Sequence, residues 1–302
     1  MKYRKLKNID MDVSILSYGA SSLGSVFKEI NESEGIRTVH EAIDLGINLI
    51  DVSPYYGLTK AENVLGKALQ DIPRDKYFLS SKAGRYGEHD FDFSRKSILT
   101  SVEDSLKRLN TDYLDILLLH DIEFGSFDEV MEEGIPALHE LKKAGKIRYF
   151  GVSAYPLEIF KRVLAQTDLD LILSYCHYSL NDQSLLDLIP FLEEKKVDLI
   201  NASPLSMGLL SSRGGPPEWH PADDEIKRVC QEAANYCKEQ GADIAKLAIQ
   251  FAVSNELIPT TLVSTANPTN MRHNIQWATE PIDEQLLHAV LTILKPIHNK
   301  TW

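Results

Sequence analysis

Short runs of aliphatic and β-branched residues alternate with longer stretches in which apolar positions recur every three or four residues, and the alternation continues to the end of the chain. The short runs lie at 15–18, 48–51, 77–82, 113–120, 148–153, 171–175, 198–203 and 260–263, lengths suited to strands buried on both faces. Between them the spacing predicts helices at 34–45, 60–70, 94–109, 127–144, 156–165, 184–195, 225–240, 244–254 and 268–278, with a last one at 283–294. In the 94–109 segment Ile98, Val102, Leu106 and Leu109 share a face. Ser33 and Gly46 are expected to cap and stop the first helix. Pro156 suits the first turn of its helix, and Pro190 should interrupt the 184–195 helix. Ahead of the alternation, apolar residues from Tyr3 to Leu16 flank Asp10-Met11-Asp12, a β-hairpin pattern.

Eight strand–helix units with short connections predict a (β/α)8 TIM barrel, here with an N-terminal β-hairpin and long loops on the C-terminal face, formed as one domain over 1–302. An open doubly wound sheet is the alternative, but Tyr18-Gly19-Ala20-Ser21-Ser22-Leu23-Gly24 lacks the G-x-G-x-x-G turn of that fold. The exception to short connections is 204–224, which carries Gly208, Gly214, Gly215, Pro216, Pro217 and Pro221 and reads as a lid or binding loop.

Composition narrows the partners. The 302 residues carry a formal charge of −12, which disfavours nucleic acid and anionic membrane surfaces. No apolar run approaches the ~20 residues of a membrane span. The basic start, Met1 to Lys7, has no apolar segment behind it and does not read as a signal peptide, so a cytoplasmic protein is expected. Cys176, Cys230 and Cys237 suggest packing rather than a disulfide framework. His40, His139 and His177 lack a metal-ligand spacing, so a metal-free protein, monomeric or a weak homo-oligomer, is expected.

Four residue types fall at or just beyond strand ends, where parallel barrels gather chemical groups: Asp51 and Tyr56 after 48–51, Lys82 closing 77–82, and His120 closing 113–120. A carboxylate, a phenol, an ammonium and an imidazole together can move a proton to or from an alcohol or carbonyl oxygen. The surrounding motifs are Asp51-Val52-Ser53-Pro54-Tyr55-Tyr56-Gly57, Ser81-Lys82, Leu119-His120-Asp121, Gly151-Val152-Ser153 and Ala202-Ser203-Pro204-Leu205, with Asn274 near the end. In these, and over nearly its whole length, the chain resembles the aldo-keto reductase family. Further segments, Gly84-Arg85-Tyr86, Phe91-Asp92-Phe93-Ser94, His120 to Ser126, Leu173 to Tyr178 and Gly215 to Ala222, are most similar to members that oxidise aldoses, L-galactose among them.

The resemblance implies Tyr56 as proton carrier. A free phenol ionises near pH ~10, and Lys82 is expected to lower it while Asp51 holds the lysine and His120 orients the substrate oxygen. It implies a nicotinamide dinucleotide across the C-terminal face, at Gly19, Ala20, Asp51, Ser153, Ser174 and Tyr175. Ser203, Leu205, Met207, Gly208 and Leu209 would follow the pyrophosphate, and Ser264, Thr265, Asn270 and Asn274 the adenosine end. Three positions depart from the family pattern: Ala154 stands for an asparagine, Tyr175 for a glutamine, and Ala202 for the aromatic that stacks on nicotinamide.

The resemblance implies NAD over NADP, because NADP-preferring members carry a lysine or arginine at the positions matching Ser264 and Asn270, and Arg272 lies about 200° further round the helix than Asn270. Tyr55, Arg85, Tyr86, His120, Glu123 and Trp219 are the candidate substrate contacts, with aromatic plates for a sugar ring and polar groups for its hydroxyls. The expected reaction is NAD-dependent oxidation of an aldose at C1 to the lactone. The alternatives are a general NAD(P)H-dependent aldehyde or ketone reductase, and a nicotinamide-binding redox sensor.

Overall fold

The structure, a computed structural model, describes every residue except 27 and 212–216, so Gly214, Gly215 and Pro216 of the long loop lie outside the described residues. An antiparallel hairpin of β1 (Tyr3–Leu6) and β2 (Met11–Ser14) precedes the barrel. The barrel strands are β3 (Leu16–Gly19), β4 (Leu49–Asp51), β5 (Phe78–Ala83), β6 (Leu114–Leu119), β7 (Ile147–Ala154), β8 (Leu171–Tyr175), β9 (Asp198–Ala202) and β10 (Thr261–Val263). Each runs parallel to its neighbours, and β10 pairs with β3 to close the ring. The fold is therefore the expected (β/α)8 barrel with an N-terminal hairpin.

Inside the ring Leu49, Ile116, Leu118, Leu171, Leu173, Ile200 and Leu262 pack on Leu6, Ile9, Met11 and Val13 of the hairpin. The hairpin thus plugs the lower end. Asp198 at the start of β9 secures it, accepting the backbone N–H of Lys7, Asn8 and Ile9 at 2.8, 2.8 and 3.0 Å. Solvent and ligands are left with the upper end. There the register sets Asp51 opposite Gly19 and Ser80, and Ala83 opposite Leu119, which directly precedes His120.

Several helices differ from the sequence expectation in their ends or continuity. Asn31, not Ser33, caps the helix Glu32–Asp44, its side chain accepting from Glu34 N. The expected 127–144 helix is interrupted by a π turn at Val130–Gly134. Pro136 follows, whose missing N–H cannot complete a regular ladder. Helix Leu157–Leu164 begins after Pro156 rather than on it. Pro190 does act as expected: a 3-10 turn, Ser184–Leu188, gives way there to the helix Ile189–Lys195.

Candidate active site

Asp51 ends β4 and Lys82 lies near the end of β5, both buried. The Lys82 ammonium pairs with Asp51 Oδ2 and donates to the Val52 carbonyl at 3.1 Å and to the Tyr56 phenol oxygen at 3.3 Å. An ammonium has three protons, and each has a partner here. The second Asp51 oxygen accepts from Ser80 Oγ at 2.8 Å. Tyr56 is fixed by a crossing of two backbones: Gly57 has φ +63, and a Cβ there would lie 2.0 Å from the Gly24 carbonyl oxygen. Only glycine suits both conditions.

The phenol does not behave as the sequence suggests. Burial comes first and pushes Tyr56 up to about 12; the Lys82 charge opposes this, while Asp51 and Asp121 add to it. Lys82 does lower the phenol as expected, by its charge and its hydrogen bond, but burial outweighs it. For Lys82 itself burial works against the charged form, yet Asp51 and Tyr56 together raise its pKa. The pair is therefore a firmly held ammonium beside a protonated phenol.

His120 presents its ring edge-on to Tyr56, with centroids 5.6 Å apart at 88°. Its Nδ1 lies 2.9 Å from Ser53 Oγ, and its Nε2 lies 3.5 Å from Asp121 Oδ2. Burial, then the Lys82 and Arg85 charges, hold its pKa well below the ordinary value. Asp121 is in turn bound by Arg85 Nη1 at 2.5 Å, and its backbone N–H donates to Ser153 Oγ at 3.1 Å. The Arg85 guanidinium lies over the Tyr55 ring, 3.9 Å from the centroid. Ser53, Ser80 and Asp121 had no assigned role in the sequence reading. Only their neighbours on adjacent strands reveal one.

The remaining candidates divide. Glu123 accepts the Tyr155 N–H at 2.7 Å, and its other oxygen, Oε2, is buried without a partner. Burial raises its carboxyl to about 7, Asp121 adding to this and the Tyr155 N–H opposing it. Tyr175 ends β8 and packs 5.5 Å from Tyr155. Tyr86 lines an outer groove with Pro54, Thr59 and Asp92, and none of Asp51, Tyr56, Lys82 or His120 lines it. Trp219 is half exposed and stacks on His220, which is itself held by Ser206 O and the Ala222 N–H.

Around the rim, Gly19 ends β3 and Ala20 starts a 3-10 turn. Ser174 in β8 is fully buried, and its hydroxyl has no partner. After β9 the backbone takes the left-handed region at Ser203, Ser206, Met207 and Gly208. For the three non-glycine residues such conformations cost about 1–3 kcal/mol each, and they cluster at ligand clamps. Ser206 is pinned by its bonds to Asn181 at 2.6 Å and Ser179 at 3.0 Å, and Leu205 and Leu209 flank the turn. Ser264 binds Ser21 and Ser22, and the Thr265 carbonyl accepts from Tyr18. Asn267 caps the helix Pro268–Thr279, which carries Asn270 and Asn274.

A closed parallel barrel whose open end holds a buried lysine–aspartate pair against a tyrosine and a histidine defines a class of barrel oxidoreductases. Residues 15–294 match the Aldo/keto reductase family, and the chain belongs to it; members use nicotinamide cofactors. It is 46% identical over 311 aligned positions to an L-galactose dehydrogenase of Arabidopsis thaliana, covering 100% of this chain and 97% of that one. It is 37% identical to a D-arabinose 1-dehydrogenase of Saccharomyces cerevisiae, over 84% of this chain and 79% of the relative. Among solved structures, an aldo-keto reductase of Bacillus halodurans in its holo form aligns with a TM-score of 0.81 at 28% identity, covering 100% of this chain and 98% of the other. Among the described residues no helix is long and apolar enough to cross a membrane, and no cluster of three or more His, Cys, Asp or Glu could hold a metal.

Proposed function

We propose that this protein is an NAD-dependent aldose dehydrogenase that oxidises L-galactose or a related sugar at C1 to the lactone. The observation that carries the reading is the convergence of Lys82 on the Tyr56 oxygen with the His120 ring edge-on beside it. Tyr56 takes the proton of the sugar hydroxyl. Lys82, held in place by Asp51, steadies the charge on its oxygen, and His120 donates from Nε2 to the reacting oxygen. A dinucleotide, when bound, supplies the hydride acceptor and a positively charged ring. The two sequence relatives described above, both named as sugar dehydrogenases, support the substrate class.

The residues present fit a dinucleotide. The unpartnered Ser174 hydroxyl suits a carboxamide, and the left-handed turn at Ser206–Gly208 suits a pyrophosphate path with Ser203, Leu205 and Leu209. Gly19, Ala20, Ser153 and Tyr175 would hold the nicotinamide end, and Ser264, Thr265, Asn270 and Asn274 the adenosine end. NAD is favoured because Arg272 is committed elsewhere: its guanidinium binds Glu41 at 2.9 Å and Thr269 at 3.2 Å.

A panel of aldoses and simple aldehydes, followed by NADH formation or consumption, tests the reading. Turnover of L-galactose or a close stereochemical relative with NAD is expected. Failure of every aldose, with simple aldehydes reduced, would replace it with a general reductase.

A further inference from the structure

Among the described residues, every buried charged side chain but two has partners for its buried polar atoms. Glu62 meets Arg108 at 2.6 Å and Ser81 at 2.8 Å, and Asp115 meets Arg74 at 2.6 Å and Arg148 at 3.1 Å. Two charged side chains at the open end break the rule. Arg85 Nε and Glu123 Oε2 are both buried and both lack a partner, although the rest of each group is tightly held. Arg85 is anchored through Nη1 to Asp121, and Glu123 through its other oxygen to the Tyr155 N–H. One unpartnered donor and one unpartnered acceptor thus lie on anchored side chains next to the reacting centre.

Their loops are built to stay put. Phe93, completely buried, sits between Gly84 and Gly125; a Cβ on either glycine would come within 2.2 or 2.3 Å of its ring. The ring therefore locks together the loop carrying Arg85 and the loop carrying Glu123. Asp121 ties both to the reacting centre, since it binds Arg85 and lies 3.5 Å from His120 Nε2. Buried unmatched charged groups are costly, and here two of opposite sense are held on loops tied to the histidine of the site.

Building on the aldose reading, we infer that Arg85 and Glu123 form a subsite for sugar hydroxyls away from C1. Arg85 Nε donates to a hydroxyl oxygen and Glu123 Oε2 accepts a hydroxyl proton. A plain aldehyde or ketone offers neither partner, so the subsite selects polyhydroxylated substrates. A site that hydrogen-bonds a substrate hydroxyl rejects the analogue lacking it, because its own polar groups are then stranded.

The experiment compares kcat/KM for the preferred aldose and for its series of singly deoxygenated analogues in the parent, Glu123→Gln and Glu123→Ala. Dinucleotide binding, followed by protein fluorescence, verifies that each variant is folded; Glu123→Gln keeps the side-chain shape should the alanine variant fail to fold. The parent is expected to lose at least ~10-fold on removal of one particular hydroxyl. The variants are expected to lose activity on the full sugar and to become indifferent to that hydroxyl. Equal discrimination by parent and variants at every position would overturn the subsite and leave the aldose reading standing. A parent that turns over no aldose would overturn both.

Discussion

The Ser53 hydroxyl lies 2.9 Å from His120 Nδ1 while accepting the Tyr55 N–H at 3.1 Å. A hydroxyl has one proton to give. With the Tyr55 amide on one lone pair, the hydroxyl can still either donate to Nδ1 or accept from it. The carboxylate of Asp121, 3.5 Å from Nε2, favours the ring proton on Nε2, and Ser53 then donates to Nδ1. That carboxylate lies too far away for a strong bond, so the Nε2–H stays available to a substrate oxygen.

Ser53→Ala should therefore scramble the tautomer without emptying the site. A buried group deprived of its partner costs about 1–3 kcal/mol, so kcat/KM should fall roughly tenfold or more. Dinucleotide affinity should hold. Nitrogen NMR of His120 in the two proteins gives the direct reading. An unchanged ring with Nε2 still protonated, together with parental kinetics, would show that Ser53 only packs.

Tyr56→Phe and Lys82→Met should separate chemistry from stability. The phenylalanine variant loses the proton carrier but no buried charge. Its turnover should drop by ~100-fold to ~10,000-fold or more, with dinucleotide affinity and thermal stability close to the parent. The methionine variant leaves Asp51, only 3% exposed, without its ammonium. Breaking such a pair from one side costs about 3–5 kcal/mol, so Lys82→Met should unfold at a clearly lower temperature. Parental turnover by Tyr56→Phe would remove the phenol from the mechanism.

The raised phenol makes the pH dependence asymmetric. Oxidation needs Tyr56 without its proton, and burial, only partly offset by Lys82, pushes the group up to about 12. At any lower pH the ionised fraction grows as pH rises, so kcat/KM for oxidation should climb through the neutral and alkaline range. Reduction uses the protonated phenol and should lack that rise. His120, held well below its ordinary value by burial and by the Lys82 and Arg85 charges, is neutral through this range and should contribute no break in it. Rate profiles measured in both directions check the sign; an oxidation rate that is flat or falls with pH would contradict it.

Much of this was legible in the chain because barrel strands are apolar on both faces and end where the chemistry begins. Asp51, Lys82 and His120 each close or follow such a run, so their convergence could be read from position alone. The helix break before Pro136 was hidden inside an otherwise continuous apolar pattern. Asn31 and Ser33 are both good capping types, and only the bond to Glu34 N distinguishes them. The phenol's high pKa was not legible, because it depends on how completely Asp51 matches Lys82 and how little water reaches Tyr56. Nor was the grip of Phe93 on Gly84 and Gly125, since contacts between separate loops leave no periodic trace.

Cofactor preference offers a test on the opposite side of the barrel mouth. Asn270 stands in the first turn of the helix Pro268–Thr279, its backbone N–H donating to the Asn267 cap at 3.0 Å. Arg272, two residues on, is drawn towards Glu41. A 2′-phosphate calls for a cationic fork, and this helix turns its arginine away from the position that would need it. Asn270→Arg should raise the ratio of kcat/KM for NADP to that for NAD by ~10-fold or more, about 1.4 kcal/mol. Glu41→Ala frees the Arg272 guanidinium without moving its Cα, so it should shift the ratio far less. The two variants assayed with both dinucleotides decide the matter. If Glu41→Ala alone confers strong NADP use, Arg272 reaches the phosphate after all and the assignment of NAD rests on the Glu41 pair rather than on Asn270.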